Sequence, residues 1–487
     1  VANRIGALTV TSAVDATFTG AVYAASFAQA QGTGTTLFSG LQDYSGAFDF
    51  TGNALTLNGA LTVGGTTAVT NAGLFTTSAT APIVSGGAFT QDGTGANWLG
   101  ANVTTSGANL SFLGAVMLTE NVQLSSGALA GNITLSSTVN AETSASGESL
   151  TLLAGLGNIV VTGPVGTGVA NRIGALTVTS AVDATFSGAV YAAGFAQAAG
   201  TGTTTLNGAV NTSAAAGVTL TGTNLVLNAG ITTAASGVVT LNHSGTTTIA
   251  AAGDINADGA VSIAATGGIS TAGDVTTTAD AIGFNSATTF TDAAALSSTG
   301  GAIDFAGAVS VNANLSVDAG TALAAFASIL TIADAVALDF GATRFSVATL
   351  DMAGAASRVR LSGEANQAGS TIATFGAAQG VFEYYGPGGT VWTSGWNPSG
   401  THYFDLELNG DPGSSFAFEG AATLAGSLTL DEGTLELGGG TDIGGDVRIR
   451  DGSSLDVTAS NHALVVRGAN WVNAVGPAGF VARNGTV

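Results

Sequence analysis

The chain repeats itself over a long stretch, and this constrains its fold more than any other feature. Residues 1–36 read VANRIGALTVTSAVDATFTGAVYAASFAQAQGTGTT, and residues 169–204 read VANRIGALTVTSAVDATFSGAVYAAGFAQAAGTGTT. The offset is 168, and 33 of 36 positions agree. The three changes are Thr19 to Ser187, Ser26 to Gly194 and Gln31 to Ala199. Further on, FTGNALTLN at 50–58 matches LTGTNLVLN at 220–228, now at an offset of 170. Two residues have entered a turn while the strand pattern on either side is kept. A coil of stacked repeats tolerates length change in this way, at its corners.

A shorter period lies inside the long one. Apolar-x-Gly-Ala-apolar occurs at Phe186–Val190 and again at Leu206–Val210, 20 residues on. Gly253-Asp254-Ile255 returns as Gly273-Asp274-Val275, again after 20. The long offset of 168 reads as eight units of 21. Within a unit the apolar residues alternate, as in LTV (7–9), LTL (55–57), ITL (133–135) and LEL (435–437). Alternation over three to five residues, broken by Gly, Asn, Ser and Asp, marks short strands rather than helices. Only Ala322–Leu338 is apolar enough over a long enough run to suggest a short helix.

These patterns predict an all-β chain folded as a parallel β-solenoid, right-handed, with about 19–24 residues per turn. No single turn can bury its apolar side, so neighbours share one core. A sandwich or barrel would also show short strands, but it does not explain one unit returning at nearly constant length. We read three blocks: 1–168, 169–340 and 341–487, the last holding an aromatic-rich segment at 381–404.

Composition removes several functions. All nine basic residues are arginine, against 31 acidic ones, for a net charge of −22. Clustered cations for phosphate neutralisation are missing, which argues against nucleic-acid binding. Without lysine there is no P-loop and no Schiff base. With no cysteine there is no disulfide framework. Charged residues are 8% of the chain, as a slender apolar interior requires. No uninterrupted apolar run is long enough for a transmembrane helix. Residue 1 is Val and no signal segment follows, so a processed chain or a piece of a longer one is expected.

The segments GTGTTTLNGAV (200–210), LTGTNLVLNAGI (220–231) and AAGDINADGAVSI (251–263) resemble the repeats of very large bacterial surface proteins. So do TLDEGTLELGG (429–439), SLDVTASNHALVVRGANWVN (454–473) and FVARNGTV (480–487). The resemblance is to filamentous-haemagglutinin-like adhesins and autotransporter passenger regions. It implies a β-solenoid that is exported to the cell surface or secreted.

Candidate sites are few. Segment 381–404 gathers Tyr384, Tyr385, Trp392, Trp396 and Tyr403, rings of the kind that stack on sugars or partner proteins. Its plainer reading is a widened core. Asp254-x-Asn256-x-Asp258-Gly259 opens like a calcium loop, but the twelfth position is Ala265, so the bidentate carboxylate is missing. A turn between units is the simpler expectation, with Asp254 and Asp274 one turn apart. Near the C-terminus, Thr429 is expected above Arg448 and Glu436 above Asp456. A polyuronide-lyase groove would need such a row, and residues 173–343 lack any cation for one. Threonine runs such as Thr203–Thr205 and Thr246–Thr248 raise ice binding, but in the sequence they do not recur at one position per unit. No catalytic constellation, metal set or cofactor motif is found. The expected function is therefore an extracellular structural protein: a rigid rod used as filament subunit, stalk or fibre. A carbohydrate- or host-binding adhesin is the alternative. The expected partner is the chain itself, stacked end to end, or its continuation in a longer polypeptide.

Overall fold

A strand of three residues points two side chains one way and one the other. It persists only if other strands hold it above and below. The computed structural model describes residues 3–142, 147–363, 368–376, 379–394, 396, 400–458 and 460–484. The chain is all-β, with parallel strands stacked into a β-solenoid of about 22 turns in all. It divides into two units, Val1–Gly253 and Asp254–Val487, so the boundary falls inside the second repeat block. Among the described residues, helix is confined to the 3-10 turns Val169–Asn171 and Gly476–Gly479. No helix is long and apolar enough to cross a membrane.

In the first unit each turn carries three strands. Ala54–Leu57, Leu61–Val63 and Thr67–Asn71 make one turn, and Phe75–Thr77, Ile83–Ser85 and Phe89–Gln91 the next. They pair in parallel, with Leu55 on Phe75, Leu61 on Ile83 and Thr67 on Phe89. In the three-residue strands the end residues point inward and the middle one outward, as in the alternating burial of Leu61-Thr62-Val63. One column runs Leu55, Phe75, Asn97, Val116, Val139, Val165, Val190, so turn length varies from 19 to 26 residues. Corners absorb that variation. Three residues separate Gln42–Tyr44 from Phe48–Gly52, and five separate their counterparts Val210–Thr212 and Val218–Gly222. The two-residue insertion inferred from the repeat sits there. Corner glycines stack closely: a Cβ on Gly208 would lie 2.2 Å from the backbone of Gly188. Only a residue without a side chain fits that gap.

The 168-residue offset is not a whole number of turns, contrary to the reading of eight units. Ala16–Phe18 begins the column that passes through Thr36, Leu55, Phe75, Asn97, Val116, Val139 and Val165 to Val190. Its copy Ala184–Phe186 lies one strand earlier, in the column of Ile159–Val161 and Thr203–Leu206. The repeat therefore spans one strand less than eight turns. The same sequence occupies two different faces.

Register puts like on like along the core. Phe284, Phe305 and Phe326 stand one turn apart, with ring centroids at 5.0 and 4.6 Å and planes within 12°. Stacked pairs of this kind add about 0.5–1.5 kcal/mol beyond burial. Buried amides follow the same logic: Gln91 Nε2 donates to Asn71 Oδ1 one turn back at 2.8 Å. At the corners an Asn or Asp just before a strand accepts the N–H of its counterpart in the next turn. Asn109 accepts from Asn132, Asn132 from Asn158, Asn158 from Asp183 and Asp183 from Thr203, at 2.7–3.1 Å. Each side chain satisfies a donor that the strand ladder leaves over.

A further expectation is corrected. Ala322–Leu338 contains no helix; Leu323–Ile332 is a ten-residue strand with a register shift between Phe326 and Ile329. β-Branched Ile and Thr and a paired neighbour on each side favour the extended form. The outward threonines, in contrast, do not recur at every turn: Thr134, Val160, Thr185, Thr205, Val226 and Thr248 lie in one register column, which is β-branched rather than uniformly hydroxylated.

His243 tests how the core handles charge. It ends the strand Val239–His243, is buried, and stands where the first copy has Asn71. Its Nδ1 lies 3.4 Å from Thr247 Oγ1, and its Nε2 has no partner among the described residues. Burial lowers its pKa from 6.5 to about 4. The unfolded chain then takes up the proton first as pH falls. Its contribution to stability is complete above pH 6.5 and is lost as pH approaches 4, with a ceiling of roughly 3 kcal/mol. Thermal melts from pH 7 to 4 should show a smaller loss for His243→Asn than for the native chain. Parallel curves would show that His243 does not titrate on unfolding.

Candidate functional site

In the second unit one column of strands runs from Ile255–Ala257 to Trp471–Asn473. At Val381–Val391 and Asp405–Phe418 these strands lengthen to 11 and 14 residues, with register shifts at Gly386–Gly388 and Asn409–Ser415. Rings of the aromatic segment pack into the interior there. Alternation along Val381–Val391 turns Phe382 and Tyr384 inward and Glu383 and Tyr385 outward. The Trp396 ring packs 5.4 Å from Phe382, 5.2 Å from Tyr403 and 5.7 Å from Phe345. The Tyr384 and Tyr403 hydroxyls meet at 3.0 Å. Tyr403 donates to the Trp392 carbonyl, and the Trp392 N–H donates to Tyr384 Oη at 3.3 Å. Burial raises both phenol pKa values, so the pair is a neutral hydrogen-bonded clasp.

Of the five aromatic residues expected to meet a ligand, Tyr384, Trp396 and Tyr403 are thus packed inside, none more than 1% exposed. A stacking ligand needs an open ring face, and these have none. Trp392 is half-buried at the corner. Tyr385 is half-buried and faces outward, where it joins a charged ladder.

That ladder is built by register. Asp339, Arg360, Glu383, Glu407, Thr429 and Arg448 occupy the same outward position in six successive turns. Arg360 binds Asp339 at 2.9 Å and Glu383 at 3.1 Å, with its guanidinium 4.6 Å from the Tyr385 ring centre. Arg358 binds Glu383 at 3.3 Å and Glu407 at 3.0 Å. Tyr385 donates to Asp339 at 3.0 Å, and burial together with that carboxylate pushes its phenol up to about 12. Burial also raises the Glu407 carboxyl, against the pull of Arg358. Thr429 does stand on Arg448, and Glu436 on Asp456, as the sequence implied. Each of the two central arginines lies between carboxylates, so the ladder neutralises itself. Beside it, a shallow groove of about 400 Å³ runs from Asp274 past Ala294 and Ser316 to Asp339 and Arg360.

The calcium-like motif is a strand with its two flanks. Ile255–Ala257 is extended, Asp254 accepts the Asp274 N–H at 2.9 Å, and Asp258 accepts from Thr278 Oγ1 at 3.1 Å. Asp254 and Asp274 are indeed one turn apart. Among the described residues, no three His, Asp or Glu side chains converge as a metal-binding group.

Sequence reasoning did not find an open trough of about 680 Å³ on the first unit. It crosses four turns and is lined by Gln31, Thr33, Thr51, Asn53, Asn71 and Asp92 among others. Asp92 is its one charged residue and accepts from Thr70 at 2.5 Å. The available signal was a set of short polar corners about one turn apart: Gln31-Gly32-Thr33, Thr51-Gly52-Asn53, Thr70-Asn71-Ala72 and Asp92-Gly93-Thr94. Compared with family models, curated proteins and solved structures, the chain matches none.

Trp396→Ala should therefore act as a core truncation, costing roughly 3–5 kcal/mol, whereas Trp392→Ala should cost less. Denaturant melts of the two variants check this. Equal, small effects would show that Trp396 is not part of the core.

Proposed function

We propose that the chain is an extracellular structural protein, a rigid β-solenoid rod that serves as a filament subunit or as the stalk or fibre of a bacterial surface protein. The observation that carries this reading is the unbroken stacking of parallel turns within each unit around one apolar interior. Backbone hydrogen bonds then lie along the coil axis, so bending it means breaking or stretching many of them together. Length is gained by adding turns, without a new domain for each step. Export is supported by the resemblance of the repeats to bacterial surface proteins. The net charge of −22 suits a rod that stays soluble and apart from its neighbours.

Negative-stain images of the isolated protein should show elongated particles one coil wide. Eleven stacked turns, as in the column described for the second unit, span on the order of 50 Å. Compact round particles would overturn the reading.

The adhesin alternative draws on the trough of the first unit. Its lining of hydroxyls, amides and a single carboxylate suits an uncharged polyhydroxylated chain better than an anion. Isothermal titration with neutral oligosaccharides should give heat that Asn53→Ala diminishes. An absence of heat with the native chain would remove this alternative.

A further inference from the structure

The trough of the first unit owes its shape to corners of unequal length. It is formed where four successive turns leave the strands Val22–Gln29, Phe48–Gly52, Thr67–Asn71 and Phe89–Gln91. Five residues (30–34) separate the first of these from the strand that follows it. One (Asn53) follows the second, three (72–74) the third and five (92–96) the fourth. The two long corners stand as walls three turns apart, about 14 Å at the spacing of paired strands. The two short corners between them are the floor. On the floor Asn53 is exposed and its Oδ1 lies over Gly73, where a Cβ would come within 2.7 Å of it. Gln31 is exposed on one wall and Asp92 on the other. The side-chain amides of Gln31 and Asn53 have no hydrogen-bond partner among the described residues. Those of Asn71 and Gln91 are buried and bond to each other.

The repeat supplies a comparison within the chain. In the second copy the matching corners hold five residues (198–202), one (Thr223) and three (244–246). The fourth, after Val261–Ala265, holds three (266–268) in place of five. The far wall is thus shortened, and its carboxylate is replaced by a Thr-Gly-Gly corner. Gln31 becomes Ala199, one of the three changes in 36 positions. Asn53 becomes Thr223, whose hydroxyl donates to the Gly200 carbonyl at 3.1 Å. Polar groups that face outward in the first copy are removed or turned onto the backbone in the second, while the strands around them are kept.

The lane between the walls continues past the corner. On the next face the outward residues of the same four turns are Leu37, Thr56, Thr76 and Trp98, each one turn from the next. The two threonines extend the floor, and Leu37 and Trp98 extend the walls. Trp98 is 38% exposed. A partly open ring beside hydroxyls and amides stacks on the apolar face of a sugar while the polar groups take its hydroxyls. A lone carboxylate disfavours an acidic sugar. We propose that the first copy holds one neutral oligosaccharide lying across the coil. Gln31, Asn53 and Asp92 hydrogen-bond it in the trough, and Trp98 stacks on it where it passes onto the next face. This rests on the adhesin reading of the trough and adds a direction, a stacking subsite and restriction to one of the two copies. The rod reading does not depend on it.

Three substitutions that the chain itself shows to suit the fold test this. Gln31→Ala and Asn53→Thr install the second copy's residues, and Trp98→Thr installs the residue of the two preceding turns. The full chain is titrated with linear neutral hexasaccharides of glucose, mannose and N-acetylglucosamine, read by heat and by tryptophan fluorescence. The native chain should bind one equivalent of at least one of them, with a change in fluorescence. Gln31→Ala and Asn53→Thr should each weaken that binding about fivefold, the worth of one hydrogen bond. Trp98→Thr should weaken it roughly tenfold and abolish the fluorescence change. No binding of any of the three by the native chain overturns the proposal and the adhesin alternative together. Binding that Asn53→Thr weakens but Trp98→Thr leaves unchanged overturns the proposal and leaves the adhesin alternative standing. Binding untouched by all three substitutions, or two equivalents per chain, also overturns it.

Discussion

Backbone hydrogen bonds between successive turns lock each residue against its counterpart about 20 positions away. Because the pairing is parallel and in register, every side chain meets the residue type that the next turn places at the same station. That one constraint generates the stacked rings of Phe284, Phe305 and Phe326, the amide pair of Asn71 and Gln91, and the corner relay from Asn109 to Thr203. It also explains why polar groups are admitted to so slender an interior. An amide at the right station finds its partner one turn away, and an unmatched one would be costly.

The same constraint is a hazard for charge. Parallel register would set carboxylate directly on carboxylate wherever acidic residues recur at the turn length. On the Asp339–Arg448 face arginines interrupt or flank the acids: Arg360 separates Asp339 from Glu383, and Arg358 reaches both Glu383 and Glu407. Seven of the nine arginines lie from Arg344 onward. The earlier turns, nearly free of cations, carry Thr, Val, Ser and Asn outward instead. Two ways of building an exposed strand face thus coexist in one polypeptide.

Much of this was legible in the sequence. Alternation located the strands, and spacings of 19 and 20 gave the register of Asp254 on Asp274 and of Thr429 on Arg448. Three things were hidden. Corner length varies, so the 168-residue offset looked like whole turns when it falls one strand short. Tyrosine and tryptophan suit either side of a sheet, so composition alone left 381–404 open between a binding patch and a widened core. The parity of Phe382 and Tyr384 against Glu383 and Tyr385 held the answer for that strand, because residues two apart share a side. The run at 322–338 looked helical because its alternation is muted by alanine, which packs on either face of a sheet.

The offset between the two copies has a geometric outcome. Matching segments separated by whole turns would form a single stripe, readable from one direction. Here the second NRIGALTVTS is displaced from the first by one of the three strands of a turn, inside the same unit. Any feature encoded by that segment is displayed toward two compass points, and a receptor or neighbouring fibre approaching from one side meets it once.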